Sequence, residues 1–373
     1  MSDEQRRWNR LHVPVVRGTK EQPHPTVAAA LAQQAEQPTG EPGPLEAGWL
    51  RELCLSAGLD DVGFADLATP GLEGERDYVL EALPGTRTLI GFCLRTSRDN
   101  LQSRSISASN RDVATTQELA HEAARHICLE LQRHGVRAMY PAAGFPAEIH
   151  RFPDRSWVVS HKLVAVAAGL GQMGLHRNVI HPRFGTFIVL GTILIDHAVT
   201  EYSTPVASNP CIDCGLCVTT CPVGAIHADG GFDFDACYTH NNHHELSNFA
   251  GWVEDVVDSA DAADYRRRVT PSETLAVWQS LSFSPQYRAG YCVAVCPAGT
   301  DVLGRYLDDP ETHAREIVAP LMRKPEYVYV DAGSDAEKHV VNRFPHKTIR
   351  HARRVEVPEP EIDPRPERHA DPR

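Results

Sequence analysis

Long apolar runs are missing from this sequence, and so is an export signal. No stretch of the 373 residues approaches the roughly 18 consecutive apolar residues that a membrane span needs. Arg6 and Arg7 stand near the start as in a twin-arginine signal, but no apolar segment comes after them. The sequence therefore predicts no contact with a membrane and a cytoplasmic location.

An excess of positive charge is missing as well. The chain has 37 Lys and Arg against 49 Asp and Glu, a formal net charge of −12 at pH 7. Such a balance creates no overall field that attracts nucleic acid. The basic run 338–354 is the one segment that could contact phosphates, and a run of this size is typical of a solvated face. We therefore expect a small organic substrate rather than tRNA.

Cysteine is plentiful. Seven of the ten cysteines form a run of four, a single cysteine further along the chain and a final pair. In chain order they are Cys211, Cys214, Cys217, Cys221, Cys237, Cys292 and Cys296. The first four have the spacing of bacterial ferredoxins, in which three thiolates hold one cubane and the fourth ligates the other cluster. A structural zinc site takes its ligands from two separated pairs, so zinc fits less well. The spacing predicts iron–sulfur clusters and a reducing compartment.

The other three cysteines lie in or beside apolar segments. Cys93 belongs to a strand-like apolar run, and Cys128 lies on the apolar face of a predicted helix over 111–134. Together with Cys54, they are predicted to be buried, inert thiols.

The apolar pattern divides the chain into parts. Residues 1–45 carry six prolines and no sustained periodicity, which predicts an extended N-terminal arm. Helix-like and strand-like segments alternate over 46–204, which indicates an α/β (α+β) domain. The cysteine-rich region 205–300 comes next, and then a C-terminal extension, 301–354, that we expect to pack on the core. The proline-rich tail 355–373 has the composition of a disordered segment.

Three glycines match a familiar motif in an unsuitable context. Gly169, Gly171 and Gly174 form the G-x-G-x-x-G pattern of dinucleotide-binding proteins. That motif needs a strand before it and a helix after it, whereas here a helical segment comes first, and Pro182 and Gly185 interrupt the segment after the glycines. The glycines could admit a different large cofactor or form a tight helix-to-strand connection.

The segment around these glycines resembles a known family. The motifs that carry the resemblance are Ser160-His161-Lys162, the stretch 168–174, Asn178 and the stretch 190–196, directly before the first cysteine run. They resemble epoxyqueuosine reductase and the related corrinoid-dependent reductive dehalogenases. The resemblance implies a nitroreductase-like α/β domain that holds cobalamin, and after it a ferredoxin-like domain with two [4Fe–4S] clusters. Electrons from reduced ferredoxin or flavodoxin are then expected to reach the corrinoid, which reduces the substrate.

The resemblance also implies roles for individual residues. The cluster nearer the corrinoid would be held by Cys211, Cys214, Cys217 and Cys296. The other cluster would have three cysteine ligands, Cys221, Cys237 and Cys292. The expected corrinoid contacts are Gly169, Gly171, Gly174 and Asn178.

One expected ligand of the second cluster is absent. Ala289 stands where the family has the fourth cysteine, so this cluster could be [3Fe–4S], keep an open iron or recruit another ligand. His240, in a histidine-rich run after Cys237, is the candidate replacement. Alternatively, these histidines form a polar loop or donate hydrogen bonds to the sulfides.

A second departure concerns the proton donor. The family carries an Asp shortly before the glycine segment, and by count this position is Arg155, next to Asp154. Asp154 is therefore the candidate catalytic residue, although the Pro153-Asp154 pair is also typical of a turn. Tyr140 and His161 are competing donors.

Three functions agree with these features. The first is a cobalamin-dependent iron–sulfur reductase. The second is an electron-transfer protein without substrate chemistry of its own. The third is a flavin-dependent reductase on the same scaffold.

Replacing Cys214 by Ser tests the cluster assignment. The variant removes one thiolate of the first run, so it should lose a whole cluster and the fold around it. Iron content and visible absorbance of the anaerobically reconstituted protein are the measurement, and unchanged values would contradict the assignment.

Ala289→Cys tests the second cluster. The new thiolate should convert an incomplete cluster to [4Fe–4S], which electron paramagnetic resonance and iron analysis detect. If the wild type already binds about eight iron atoms per chain, a ligand other than cysteine exists, and His240 becomes the residue to replace.

Overall fold

The computed structural model shows a protein of mixed helices and strands. It describes residues 25–26, 28–29, 32, 43–149, 155–243, 246–283 and 290–352. Residues 1–43 and 44–373 form two separate units. Most of the predicted N-terminal arm and all of the predicted tail 355–373 lie outside the described residues.

Strands occur in three small sheets. They are β1 (Asp61–Asp66), β2 (Thr88–Arg95), β3 (Ala138–Met139), β4 (Gln172–Met173), β5 (Val179–Ile180), β6 (Ile188–Ile195), β7 (Tyr327–Val330) and β8 (Thr348–His351). The largest sheet has the order β1-β2-β6-β3, and all of its pairs are antiparallel. β4 and β5 form a hairpin, and β7 and β8 pair in parallel.

Helices surround these sheets. In the first half they are α1 (Ala47–Ser56), α2 (Arg76–Ala82), α3 (Arg98–Gln102), α4 (Ile106–Arg133) and α5 (His161–Ala167). In the cysteine-rich region they are α6 (Leu216–Thr220), α7 (Phe234–Asn241), α8 (Leu246–Val257), α9 (Ala262–Arg268), α10 (Pro271–Phe283) and α11 (Tyr291–Ala294). The remaining helices are α12 (Thr300–Asp308), α13 (Pro310–His313), α14 (Ala319–Met322) and α15 (Asp335–Arg343).

Alternate side chains of the central strands fill two cores, one on each face of the sheet. Ile90 and Phe92 of β2 pack with Ile127 of α4 on one face. Leu89 of β2 packs with Val164 of α5 on the other face. Successive side chains of a strand point to opposite faces, so the mainly apolar sequence of β2 serves both cores. This sandwich positions the N-terminus of α5 beside the candidate site.

The C-terminal part packs on the cysteine-rich region. Val328 of β7 and Phe344, just after α15, share a core cluster with Cys217 and Cys221. Ser334 caps α15, since its Oγ accepts a hydrogen bond from the Glu337 N–H at 3.1 Å. The parallel pairing of β7 and β8 is possible because α15 forms the crossover between them.

Much of the basic run 338–354 is engaged in ion pairs. Lys347 is buried and donates to Glu326 Oε1 at 2.7 Å. Arg350 forms two hydrogen bonds with Glu273, at 2.9 and 3.0 Å. These two cations hold the C-terminal strand in place and are therefore unavailable to phosphates.

The prediction of a mixed helix and strand architecture is confirmed. The main sheet is antiparallel, since β2 lies between β1 and β6 and each of them runs opposite to it. The domain boundaries proposed from the sequence stay predictions. Cys54, Cys93 and Cys128 are buried, as expected.

No helix within the described ranges is long and apolar enough to cross a membrane.

Candidate iron–sulfur and cofactor site

A cavity of about 1020 Å³ lies beside α4, α5 and the cysteine-rich loops. Its walls combine apolar side chains such as Val113 and Leu190 with a few polar ones, including Ser160 and Lys162. Pockets for small molecules commonly measure about 300–1,000 Å³, so this cavity suits a large ligand.

Four cysteines line a smaller pocket nearby. They are Cys211, Cys214, Cys217 and Cys296. Asp213 and Gly215 have positive φ angles of 50° and 70°, and these left-handed positions curl the loop between the first three cysteines. Leu175 and Ile212 contribute apolar contacts. The structure thus brings together the four cysteines that the resemblance assigns to one cluster, and their role as ligands stays a prediction.

Burial and mutual repulsion disfavour the thiolate forms in this pocket. Burial, then the Cys214 thiol, raises the pKa of Cys217 to about 11. Burial also raises the pKa of Cys296 to about 12, with further contributions from Cys214 and Cys217. Bound iron would offset these effects, because metal binding requires the thiolates and supplies the opposite charge. The donor set therefore fits an iron–sulfur cluster.

The described cysteines are not arranged as a site for a single metal ion. Among the residues that the structure describes, no three His, Cys, Asp or Glu side chains form a group that could hold a single metal ion.

The other three cysteines lie on the wall of the large cavity. Burial raises the pKa of Cys237 to about 11, and it also raises the pKa of Cys292, with Cys237 and Cys221 adding to the effect. Nearby donors face these sulfurs. The Ala225 N–H donates to Cys221 Sγ at 3.3 Å, and Asn178 Nδ2 donates to Cys292 Sγ at 3.8 Å.

A lysine on the cavity wall adds positive charge beside these thiols. Lys162 lines the cavity, and Nζ donates to the Arg177 carbonyl at 2.9 Å. Burial lowers the pKa of Lys162, whereas Cys292 and Cys237 act in the opposite direction. Its ammonium would partly balance the negative charge of a bound cluster.

His240 lines the same cavity as the second set of cysteines. It is 1 % exposed, and its Nδ1 accepts a hydrogen bond from the Tyr329 N–H at 3.3 Å. The ring proton is therefore on Nε2. Iron ligation through Nε2 would move this proton to Nδ1, where the Tyr329 N–H already donates a hydrogen bond. The geometry favours hydrogen bonding over ligation, and Ala289 lies outside the described residues.

The three motif glycines are in contact with protein. A side chain at Gly169 would meet the Thr204 carbonyl oxygen at 2.5 Å, and one at Gly171 would meet the Ile180 carbonyl oxygen at 2.3 Å. None of the three glycines lines the large cavity, whereas Asn178 does. The packing favours the second explanation of the motif, a tight helix-to-strand connection.

Arg155 holds the chain ahead of α5. Its guanidinium forms a two-pronged ion pair with Glu75, which is 3 % exposed, and lies 3.9 Å from the centre of the Tyr78 ring. The Ser160 N–H donates to the same carboxylate at 2.7 Å. The position where the family has its Asp therefore performs a structural role here, while Asp154 lies outside the described residues.

His161 is engaged through both ring nitrogens. Nε2 donates to the Ala142 carbonyl at 2.9 Å, and Nδ1 accepts from the Thr192 hydroxyl at 2.8 Å. Burial lowers the pKa of His161, so a charged proton-donating form is disfavoured. Tyr140 packs against the core and is not among the residues that line the cavity.

Sequence reasoning missed two residues of the site. Glu75 stands far from every motif, and nothing in its surroundings in the sequence points to Arg155. His176 lines both the large cavity and the four-cysteine pocket. His176 stands two residues after Gly174 and belongs to no recognised sequence motif, so the sequence alone did not single it out.

Comparison with known proteins supports the iron–sulfur class first. Residues 207–227 match the family described as "4Fe-4S binding domain". This match confirms the ferredoxin-type motif around the first cysteine run.

The relatives then confirm the resemblance to epoxyqueuosine reductase. The chain is 36 % identical over 80 residues to the enzyme of Staphylococcus aureus, with 21 % of this chain and 20 % of the relative covered. It is 32 % identical over 99 residues to that of a Synechococcus species, covering 26 % and 28 %. With the Vibrio cholerae enzyme it shares 24 % over 221 residues, covering 52 % and 58 %. The chain thus spans between 20 % and 58 % of the lengths of these relatives. Their name is that of an oxidoreductase, in agreement with the predicted enzyme class.

Solved structures of both predicted groups match at low identity. An epoxyqueuosine reductase with a tRNA-Tyr stem loop matches at 18 % identity and a TM-score of 0.38, covering 52 % of this chain and 56 % of that one. A reductive dehalogenase whose structure concerns B12-dependent dehalogenation matches at 18 % and a TM-score of 0.43, covering 82 % and 39 %.

The expectation of a small organic substrate in preference to tRNA is wrong. The relatives are named for epoxyqueuosine, and the matched reductase was crystallised with an epoxyqueuosine-modified tRNA stem loop. The net charge of a whole chain does not determine the field at one surface, so −12 could not exclude a tRNA substrate.

Glu75→Gln tests the anchor of the segment before α5. The substitution leaves the Arg155 charge half-buried without its partner, which should lower the free energy of unfolding by about 2–4 kcal/mol. Denaturant titration measures the change. The exposed pair Arg111–Glu118 provides the control, since Glu118→Gln should cost less than about 1 kcal/mol. Equal effects of the two substitutions would show that the buried pair is no anchor.

Proposed function

We propose that this protein is a cobalamin-dependent iron–sulfur reductase that resembles epoxyqueuosine reductase. Residues 46–204 would form the nitroreductase-like cofactor domain, and residues 205–300 the ferredoxin-like domain with two clusters. A reducing cytoplasm is the compartment in which such clusters persist. When bound, the clusters would supply single electrons and the corrinoid the reducing metal centre.

The position of the large cavity carries this proposal. Its wall contains Cys221, Cys237 and Cys292. A ligand in the cavity would therefore lie beside these three cysteines rather than beside the four that the resemblance places nearer the corrinoid. The four-cysteine pocket adjoins it at His176. An electron-transfer protein without substrate chemistry would need no cavity of about 1020 Å³ at this place.

The residues around the cavity offer both apolar and polar contacts to a large cofactor. Val179, Leu190 and Trp157 offer apolar contact, and Asn178 and Ser160 offer hydrogen bonds. A ligand that occupies this volume would exclude water, which strengthens every electrostatic interaction within it.

Chain residues position the reacting groups. The Arg155–Glu75 pair and the Ser160 cap orient the start of α5, so that Lys162 reaches the cavity. The Lys162 ammonium stabilises negative charge beside Cys237 and Cys292. We propose Asp154 as the proton donor, immediately before the anchored Arg155.

For the substrate we propose epoxyqueuosine in tRNA. The name of the curated relatives supports this choice. Phosphate contacts would have to come from cations other than Lys347 and Arg350, which are paired. Arg177 is exposed at the edge of the cavity and is the first candidate.

Anaerobic titration of the reconstituted protein with cob(II)alamin tests the proposal. A base-off electron paramagnetic resonance spectrum at stoichiometric protein is expected, and then reduction of an epoxyqueuosine-containing tRNA stem loop with dithionite as the electron source. Leu190→Trp should fill the cavity and abolish the base-off signal. Leu119→Trp, at a half-exposed position of α4 away from the cavity, should leave it intact.

The opposite results have distinct meanings. A spectrum of free cobalamin with wild-type protein would exclude the corrinoid, and a flavin released on denaturation would favour the flavin-dependent reductase instead. Base-off cobalamin without conversion of the stem loop would contradict the substrate alone.

A further inference from the structure

One histidine joins the two parts of the site. His176 is the only described residue that lines both the large cavity and the pocket of Cys211, Cys214, Cys217 and Cys296. It is 4 % exposed, so its ring is shielded from solvent. A buried polar ring at such a position needs a hydrogen-bond partner at each nitrogen that carries a proton.

The hydrogen bonds of His176 determine which nitrogen carries the proton. Nδ1 accepts from the Asn178 N–H at 3.1 Å, so in the neutral ring the proton is on Nε2. Nε2 is buried and has no partner among the described residues. A buried donor without a partner destabilises the folded state. This unsatisfied donor lies at the boundary of the predicted cluster pocket.

The backbone holds the ring in this orientation. His176 lies in the turn of the β4–β5 hairpin, where the Gly174 N–H donates to the Asn178 carbonyl at 3.0 Å. A side chain at Gly174 would meet Ile180 Cδ1 at 2.6 Å and His176 Nε2 at 3.2 Å, so this glycine leaves room for both side chains. Gly174 thereby acquires a specific purpose within the motif.

Further contacts tie the hairpin to its surroundings. Asn209 donates to the Met173 carbonyl at 2.9 Å and accepts from the Cys211 N–H at 3.0 Å. Asn209 therefore links β4 directly to the first cysteine. Lys162 holds the Arg177 carbonyl on the other side of the turn. The position of His176 relative to the cysteine loop is thus set by hydrogen bonds.

We infer that His176 Nε2–H donates a hydrogen bond to a sulfur atom of the cluster held by Cys211, Cys214, Cys217 and Cys296, and so raises its reduction potential. The inference rests on the cluster proposed above. Reduction adds negative charge to the cluster, and a donor to sulfur stabilises the more negative state. His176 is a positioning and tuning residue in this role, and it also keeps a polar ring between the cluster and the cavity ligand.

Potentiometric titration monitored by electron paramagnetic resonance tests the inference. A Cys237→Ser background isolates the signal of the four-cysteine cluster. His176→Leu should make its reduction roughly ten-fold less favourable, a negative shift of about 59 mV for a one-electron couple. His176→Gln places an amide N–H near the position of Nε2 and should restore most of the potential.

A matched control comes from another buried histidine. His181 is 5 % exposed, pairs with Asp61 through Nε2 at 3.0 Å and lines neither cavity. His181→Leu should therefore leave the potential unchanged. An equal shift in this variant, or no shift in His176→Leu, would overturn the inference.

The wild-type protein supplies a test that does not depend on variant folding. With ¹⁵N-labelled histidine, the reduced four-cysteine cluster of the wild type should show a ¹⁵N hyperfine coupling. Absence of this coupling in wild type would also refute the hydrogen bond. Failure of the wild type to assemble a cluster would instead refute the cluster assignment, which iron analysis recognises beforehand.

Discussion

Seven thiols in two neighbouring groups, with Cys217, Cys221 and Cys296 buried, need positive charge or hydrogen-bond donors around them when they ionise. Burial and mutual repulsion raise the pKa values of Cys217, Cys237 and Cys296. The chain supplies part of the compensation near the second set, through the Ala225 amide and the Lys162 ammonium. In the cluster-bound protein that we propose, iron would supply the greater part, because metal binding and folding are coupled where ligands are buried.

The C-terminal segment encloses the cysteine-rich region. β7, α15 and β8 place Val328 and Phe344 against Cys217 and Cys221. The Lys347–Glu326 and Arg350–Glu273 pairs hold this cover in place. In the sequence this basic run could be taken for a phosphate-binding patch. In the structure, Lys347 and Arg350 of the run form ion pairs within the protein. Charge counting alone could not distinguish these uses, and it also gave the wrong preference about the substrate.

Local patterns predicted the secondary structure well where packing agrees with them. The strand-like run that contains Cys93 is β2, and the helix predicted over 111–134 lies almost entirely within α4. The direction of pairing was less accessible, because alternation along the chain does not state which strands become neighbours. The glycine motif illustrates the same limit. Its pattern suggested a cofactor cradle, whereas Gly169 and Gly171 pack against backbone carbonyls.

The sequence by itself determined the spacing of the sulfur ligands, the positions of most helices and strands and the family resemblance, since all of these depend on neighbours in the chain. Only the tertiary structure decided that Arg155 pairs with Glu75 and that His176 stands between pocket and cavity. These relations join residues that are mostly distant in sequence, and burial determines their chemistry. A hydrogen bond or ion pair of that kind exists only once the chain has brought its partners within reach and removed the competing water.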